Sequence, residues 1–376
     1  MARIALDATA LHGRKTGIGA FTEAILARLA ESPELDMAAF AVTFRGRGQL
    51  GSLVPPGVRA VGRPMAARPL RWCWKRGALP PVEWFIGAAD LVHGPNFVVP
   101  PGGKGVAEVV TIHDLTALHF PELCTADVLQ WPPLLERALA RGAWVHAVSG
   151  SVADEVREAF PTAGDRVVAI PNGVDPPAPE VAGRTDAAAG RHLAGGDRYV
   201  LALGTVEPRK DLPSLVAAFD ALATDDPDLR LVIAGPDGWG ADALTAARDA
   251  ATNRRRIVRL GWVSDDQRAA LLRGASVVAY PSRYEGFGLV PLEALAVGTP
   301  VVATAVGALP EVLGDAAPLV PPSDPDALAE ALHKILTNEE ARTSYLEAGK
   351  RRVEAHTWEG MVEGVVALYQ RALEAR

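Results

Sequence analysis

Two cysteines, Cys73 and Cys124, are all that 376 residues contain, far apart and each without a second thiol at metal-ligand spacing. That scarcity excludes a disulfide framework and a zinc site and fits a reducing cytoplasm. Long apolar runs are missing too. The stretch from Met1 to Asp7 is too brief for a signal peptide, and no later stretch reaches the roughly 18 apolar residues of a membrane span, so neither secretion nor membrane insertion is expected. Short-period repeats and low-complexity tracts are absent. Lysine is rare, with six against 32 arginines, so each lysine carries some information.

What is there describes a globular chain: 49% hydrophobic and 22% charged residues exclude a disordered or fibrous protein. The length exceeds what one core usually supports, which predicts two domains. The net charge of -7 is unevenly placed, because residues 1–172 hold 17 basic against 16 acidic residues and 173–376 hold 21 against 29. Within the first half, the stretch 45–76 carries Arg45, Arg47, Arg59, Arg63, Arg68, Arg71, Lys75 and Arg76, with no acid and with Trp72 and Trp74 interleaved. Such a stretch is either a solvated loop or a patch for anionic lipid headgroups or a phosphorylated acceptor. Nucleic acid is disfavoured, because the protein as a whole is acidic and the patch stands alone.

Short apolar runs alternate with amphipathic helical patterns, the signature of parallel α/β sheets. In the first half, strands are predicted at 3–7, 38–44, 90–93, 106–112, 144–148 and 167–170, with a helix over 19–31. Pro171, Pro176, Pro177 and Pro179 then interrupt any regular element. The pattern restarts with strands at 199–203, 229–234, 257–260, 276–279 and 300–303. These signals predict a first domain over 1–172, a linker over 173–198 and a second domain over 199–357, with the final helix, about 358–375, packing back on the first.

Ligands of open α/β sheets sit beyond the carboxyl ends of the strands, which is where the unusual residues collect. Gly17-Ile18-Gly19 opens the first helix, where absent side chains let an anion approach backbone amides. Thr22 stands where a dinucleotide fingerprint would need its third glycine or alanine, which disfavours an NAD-dependent dehydrogenase. His113 and Asp114 follow a strand. Gly204 to Asp211 follows another and places Arg209 and Lys210 side by side, a pair suited to a pyrophosphate. The segment from Glu285 to Glu293 has Pro291 in a first helical turn, leaving the amides of Phe287, Gly288 and Leu289 as donors at a positive helix end. Its two carboxylates, Glu285 and Glu293, are spaced to meet hydroxyls at two places on one ligand. Asp-x-Asp at 226–228 and 324–326 lies in proline-bearing turn and cap contexts, so no metal site is expected.

Taken together, Gly17-Ile18-Gly19, His113-Asp114, Asn172-Gly173-Val174-Asp175, Glu207-Pro208-Arg209-Lys210, Gly261-Trp262-Val263 and Glu285 through Glu293 resemble, in order and over nearly the whole chain, the retaining GT-B glycosyltransferases with a Glu-x7-Glu motif. That resemblance implies an α/β fold of two Rossmann-like doubly wound domains facing a central cleft. It implies that Arg209 and Lys210 grip the donor pyrophosphate, that Glu293 binds the ribose, and that Glu285 with the amides of Phe287, Gly288 and Leu289 holds the transferred sugar. His113 would lie near the reacting end of that sugar, Val263 would line the base, and Gly17 and Gly19 would allow close approach of donor phosphate and acceptor. Thr205 departs from the arginine many members carry there, which places more weight on Arg209 and Lys210.

The motif set is most similar to bacterial GDP-mannose-dependent mannosyltransferases. It implies a metal-independent, cofactor-free hexosyltransferase that uses GDP-mannose and a lipid-linked or phosphorylated glycan acceptor. Its expected location is cytoplasmic, peripheral at the inner face of the membrane. A UDP-sugar donor, glucose or N-acetylglucosamine, is the competitor within the class, and a catalytically silent nucleotide-sugar-binding subunit is the competitor outside it. Oligomeric state is not readable.

Overall fold

The computed structural model describes every residue except 14–16, 45–47, 62, 176 and 178. Arg45 and Arg47 of the basic stretch, and Pro176, therefore lie outside the described residues. The chain divides into two compact units, Met1–Pro171 with Glu359–Arg376, and Asn172–Trp358.

In the first unit, strands β1 (Ala2–Asp7), β2 (Leu35–Phe40), β3 (Arg59–Val61), β4 (Leu91–Gly94), β5 (Ala107–Ile112), β6 (Trp144–Ala147) and β7 (Val167–Ala169) form a sheet in the order β3-β2-β1-β4-β5-β6-β7. Every pairing is parallel, for example Ile4 with Met37 and with Leu91. All six residues of β5 are buried, as expected of a parallel strand covered on both faces.

The second unit repeats the plan with β8 (Arg198–Leu203), β9 (Leu229–Ala234), β10 (Ile257–Gly261), β11 (Val277–Tyr280), β12 (Val301–Thr304) and β13 (Leu319–Val320), ordered β10-β9-β8-β11-β12-β13 and again parallel. In both sheets the strand order reverses beside the first strand, between β1 and β4 and between β8 and β11. That is the place where such sheets open a crevice for ligands.

Two expectations need correction, and two strands were not expected. The strand expected at 38–44 is β2 at Leu35–Phe40. Ala41 and Val42 are also buried but leave the ladder, the Val42 amide donating to Thr9 Oγ1 at 2.8 Å, and Phe44 is exposed. The short strands β3 and β13 carry too little pattern to be read. The stretch 173–198, expected as linker, contains a helix at Ala187–Ala194 inside the second unit. Asp186 caps it through the Ala189 amide at 2.8 Å, and Gly195 closes it in the left-handed region, both ordinary boundary residues.

The last helix, Trp358–Glu374, belongs with the first unit from Glu359 onward. It is tied there by a fully buried polar chain. Tyr369 donates its hydroxyl to His93 Nδ1 (2.6 Å), His93 Nε2–H to Thr111 Oγ1 (2.8 Å), the Thr111 hydroxyl to His146 Nδ1 (3.1 Å), and His146 Nε2–H to the Ile170 carbonyl (3.0 Å). The direction follows from its end: a carbonyl only accepts, which sets each tautomer back to Tyr369. Both imidazoles must then be neutral, and burial holds His93 well below its ordinary value and His146 at about 4.

This gives the stability a pH dependence with a definite sign. An unfolded His146 takes up a proton near 6.5 and the folded one only near 4, so the contribution is complete above about 6.5 and is lost as pH falls through that window. For His146 the loss at pH 4 is on the order of 3 kcal/mol. Denaturation midpoints at pH 7 and pH 4.5 should differ markedly in the wild type and less in His146→Gln; an equal pH dependence in both proteins would contradict the neutral chain.

Candidate functional site

In the second unit the reversal of strand order makes neighbours of the segments leaving β8 and β11. The β8 segment turns through Pro208–Lys210 and enters the helix Leu212–Asp225. The β11 segment runs from Tyr280 through Pro281 and Ser282 to Glu285. There Glu285 Oε1 receives Lys210 Nζ at 2.6 Å, an Arg209 Nη at 2.7 Å and the Ser282 hydroxyl at 2.7 Å. Lys210 also donates to the Tyr280 hydroxyl at 2.7 Å and lies over its ring, and Arg209 donates to the Tyr284 carbonyl at 3.1 Å.

All three charged side chains are largely buried. Burial alone would push the Glu285 carboxyl up, but Arg209 and Lys210 outweigh it and bring it down to about 2. Burial, with Arg209 beside it, holds the Lys210 ammonium below its ordinary value while Glu285 opposes that shift. Burial, followed by Glu285, drives the Tyr280 phenol well above the ordinary range, so it stays a neutral hydroxyl. Two cations thus share one carboxylate, and the trio carries a net positive charge. Glu207, 3.4 Å from Arg209 Nη2, stands at its edge.

Beside the trio begins the helix Leu289–Ala296, with Gly288 as its N-cap at φ 114°. Among the described residues the amides of Phe287, Gly288 and Leu289 donate to nothing, which makes this helix start a cradle for an anion or a hydroxyl. The loop after β12 holds it from behind. Gly307 has φ 51°, and a Cβ there would lie 2.1 Å from the Glu285 carbonyl, which accepts from the Ala308 amide at 2.9 Å. Only glycine permits that approach.

Glu293, inside the same helix, does not join the trio; its Oε2 pairs with Arg268 on the helix Asp265–Gly274. Val263 is half-buried between β10 and that helix and packs on the core, whereas its neighbour Trp262 is exposed.

In the first unit, Gly17 and Gly19 begin the helix Gly17–Leu29. His113 follows β5 and donates Nε2–H to the Pro95 carbonyl at 2.8 Å, with Phe21 edge-on at 4.7 Å and Phe97 at 5.7 Å. Burial lowers its pKa, so the ring is neutral and Nδ1 carries the lone pair. Phe97, at φ 59° and stacked on Trp131 at 4.4 Å, shapes this wall. Asp114 is spent on its own turn, accepting from the Thr116 amide at 2.9 Å.

The sequence reading missed Tyr280, Ser282 and Arg268. Tyr280 had a signal, a polar-tipped residue ending a Val-Val-Ala strand directly before proline. Arg268 had none, being one charged residue in a charged helical turn. Of the Asp-x-Asp segments, Asp324 caps the helix Pro325–Thr337 through the Ala327 amide and Asp226 pairs with Arg198. Among the described residues no three His, Cys, Asp or Glu side chains converge as metal ligands would.

Comparison with known proteins gives a consistent result. Residues 184–352 match the family described as Glycosyl transferases group 1, and residues 17–177 match Glycosyltransferase Family 4. The O-antigen chain mannosyltransferase B of Escherichia coli is 30% identical over 287 residues, covering 74% of each chain. The D-inositol 3-phosphate glycosyltransferase of Salinispora arenicola is 32% identical over 316 residues, 77% of this chain and 70% of that one. Among solved structures, sucrose-phosphate synthase from Thermosynechococcus elongatus superposes over 100% of both chains with a TM-score of 0.78 at 21% identity, a likeness of fold.

The trio can be tested without a substrate. Glu285→Gln removes the carboxylate that two buried cations share, a loss of about 3–5 kcal/mol, and inorganic pyrophosphate should restore part of it. Pyrophosphate should also raise the melting temperature of the wild type but not of Arg209→Ala or Lys210→Ala. A Glu285→Gln protein as stable as the wild type would refute the trio as an electrostatic unit.

Proposed function

The chain belongs to the group 1 glycosyltransferases, and from that premise we propose that it transfers mannose from GDP-mannose, with retention of configuration and without a metal, to a glycolipid or surface-polysaccharide acceptor. The observation that carries the reading is the net positive trio of Arg209, Lys210 and Glu285 beside three free amides at a helix start. Two adjacent cations and three open amides fit a departing nucleoside diphosphate better than a neutral sugar alone. The choice of mannose rests on the motif set and on the E. coli relative, an O-antigen mannosyltransferase by name.

In the proposed reaction the bond from the anomeric carbon to the leaving phosphate oxygen breaks while a bond to the acceptor hydroxyl forms on the same face. The hydroxyl's proton passes to the departing diphosphate, so no protein base is needed. The protein's task is electrostatic: Arg209, Lys210 and the helix amides are in place before charge develops on the diphosphate, and they need little reorganisation as it leaves. In the first unit, neutral His113 is assigned to meet a sugar hydroxyl with its Nδ1 lone pair. Lys210→Ala should lower turnover at least about a hundredfold, measured as transfer from GDP-mannose in EDTA. Near-normal turnover would remove Lys210 from the mechanism. Transfer from UDP-sugars only would replace the donor, and stabilisation by NAD alone would overturn the class.

For the acceptor we propose a lipid-linked or phosphorylated glycan at an anionic membrane surface. Among the described residues no helix is long and apolar enough to cross a membrane. The described part of 45–76 and the residues after it expose Trp72, Leu79 and Trp84, with Arg76 stacked on Trp72 at 3.8 Å. Trp74 is instead buried, donating to the Pro80 carbonyl at 3.0 Å, and belongs to the core. Exposed tryptophan with arginine suits an interface of apolar chains and anionic headgroups. Binding to anionic vesicles at low salt should fall at least severalfold in Trp72→Ser/Trp84→Ser, and absence of any wild-type binding would defeat the membrane assignment.

A further inference from the structure

Arg268 stands where a helix least favours a cation. It is the fourth residue of Asp265–Gly274, next to the positive end of the helix dipole, where Asp265 and Asp266 fit the field and an arginine opposes it. The first turn is locked by Ser264 and Gln267, each side chain accepting from the other's amide at 3.3 and 2.9 Å, so the side chain is held in place from its root. Two-thirds of that side chain is out of solvent. Its partner is Glu293, the one ionisable residue of the helix Leu289–Ala296, whose other positions are apolar. Although burial works against the guanidinium, the carboxylate raises its pKa above the ordinary value.

The geometry of the pair is one-sided. A brace between two helices would be served best by a fork, two guanidinium nitrogens on two carboxylate oxygens. Here a single nitrogen meets Oε2, and among the described residues Oε1 accepts from nothing. We infer that Arg268 is a positioning residue: it holds Glu293 by one oxygen so that the other stands ready, ionised and correctly turned, to accept from the vicinal hydroxyls of the donor's ribose. The inference rests on the reading of Glu293 as the ribose-binding carboxylate and adds a residue that acts through it.

The test is discrimination between a ribonucleotide and its counterpart lacking both ribose hydroxyls. The probes are GDP or UDP, whichever binds the wild type more tightly, and the matching 2′,3′-dideoxynucleoside diphosphate. Hydrogen bonds to a charged group predict a preference of about tenfold or more in the wild type. Glu293→Gln should bring the ratio near one. Arg268→Met should do the same within about threefold, raising KM for the sugar donor more than it lowers kcat, while Arg268→Lys recovers most of the preference. Binding of inorganic pyrophosphate should be unchanged in all three variants. A wild-type ratio in Glu293→Gln would remove the ribose reading itself. Loss of the ratio in Glu293→Gln with retention in Arg268→Met would leave that reading intact and overturn the role of Arg268. Loss of pyrophosphate binding in Arg268→Met would overturn it too, by showing that Arg268 merely supports the fold.

Discussion

Glu285 gives up most of its hydration to lie against Arg209 and Lys210, and the segments that bring the three together hold them largely out of solvent. A carboxylate so deeply placed is tolerated only with good ionic partners, and it has two, plus the Ser282 hydroxyl. The partners come from the segment after β8 and the carboxylate from the segment after β11, two strands that are neighbours only because the order β10-β9-β8-β11-β12-β13 reverses there. Gly307, pressed on the Glu285 carbonyl, fixes the backbone from the next strand over. Glu207 at the edge of the trio balances the second positive charge, so the cations are paired without a ligand, and the helix-start amides beside them stay open to an anion.

The first unit handles its polar groups in the opposite way. His93, Thr111, His146 and Tyr369 are completely buried with no carboxylate among them, and they are satisfied as a one-way chain of neutral donors and acceptors. His113, near the same sheet edge and walled by Phe21 and Phe97, is likewise kept neutral by burial. Fixed charge sits at the head of the second sheet and neutral imidazole at the head of the first. A neutral imidazole next to apolar walls can accept from a hydroxyl without adding a further cation.

Much of this was legible in the sequence because parallel strands buried on both faces read as apolar runs, and all eleven of those runs fall on or overlap strands, with the motifs at the carboxyl ends of several. The two-sheet fold, the β8 segment with Arg209 and Lys210, and the helix start at Phe287 to Leu289 all follow from local pattern. What escaped was of two kinds. Elements of two or three residues, β3 and β13, lack the length to show a period. Pairings between distant helices, Arg268 with Glu293 above all, leave no local trace, because an arginine in a charged turn reads the same whether it faces water or a carboxylate. The helix Ala187–Ala194 is a different case: Asp186 and Gly195 announced it, but the prolines before it dominated the reading.

The spacing of the motifs along the chain has a topological origin. In a doubly wound sheet each strand delivers one segment to the carboxyl edge and then spends a helix returning to the other side. Residues that meet at one edge must therefore be separated by whole strand–helix repeats, as Lys210 is from Glu285, while residues on one loop and its helix, such as Glu285 and Glu293, stay within a few positions. The first class is fixed by the order of strands and the second by the pitch of a helix. Arg268 belongs to the first class with respect to Glu293, since β11 lies between their helices. Tyr280, at the end of that strand, is buried where the charges of both Glu285 and Glu293 act on it. One strand end thus stands between a carboxylate held by two cations and a carboxylate held by one, and the distance between these two anchors is set by the rigid step from β11 into the helix Leu289–Ala296. In the proposed reading the donor's diphosphate takes one anchor and its ribose diol the other, so that an isolated phosphate or an isolated sugar would use only one of the two.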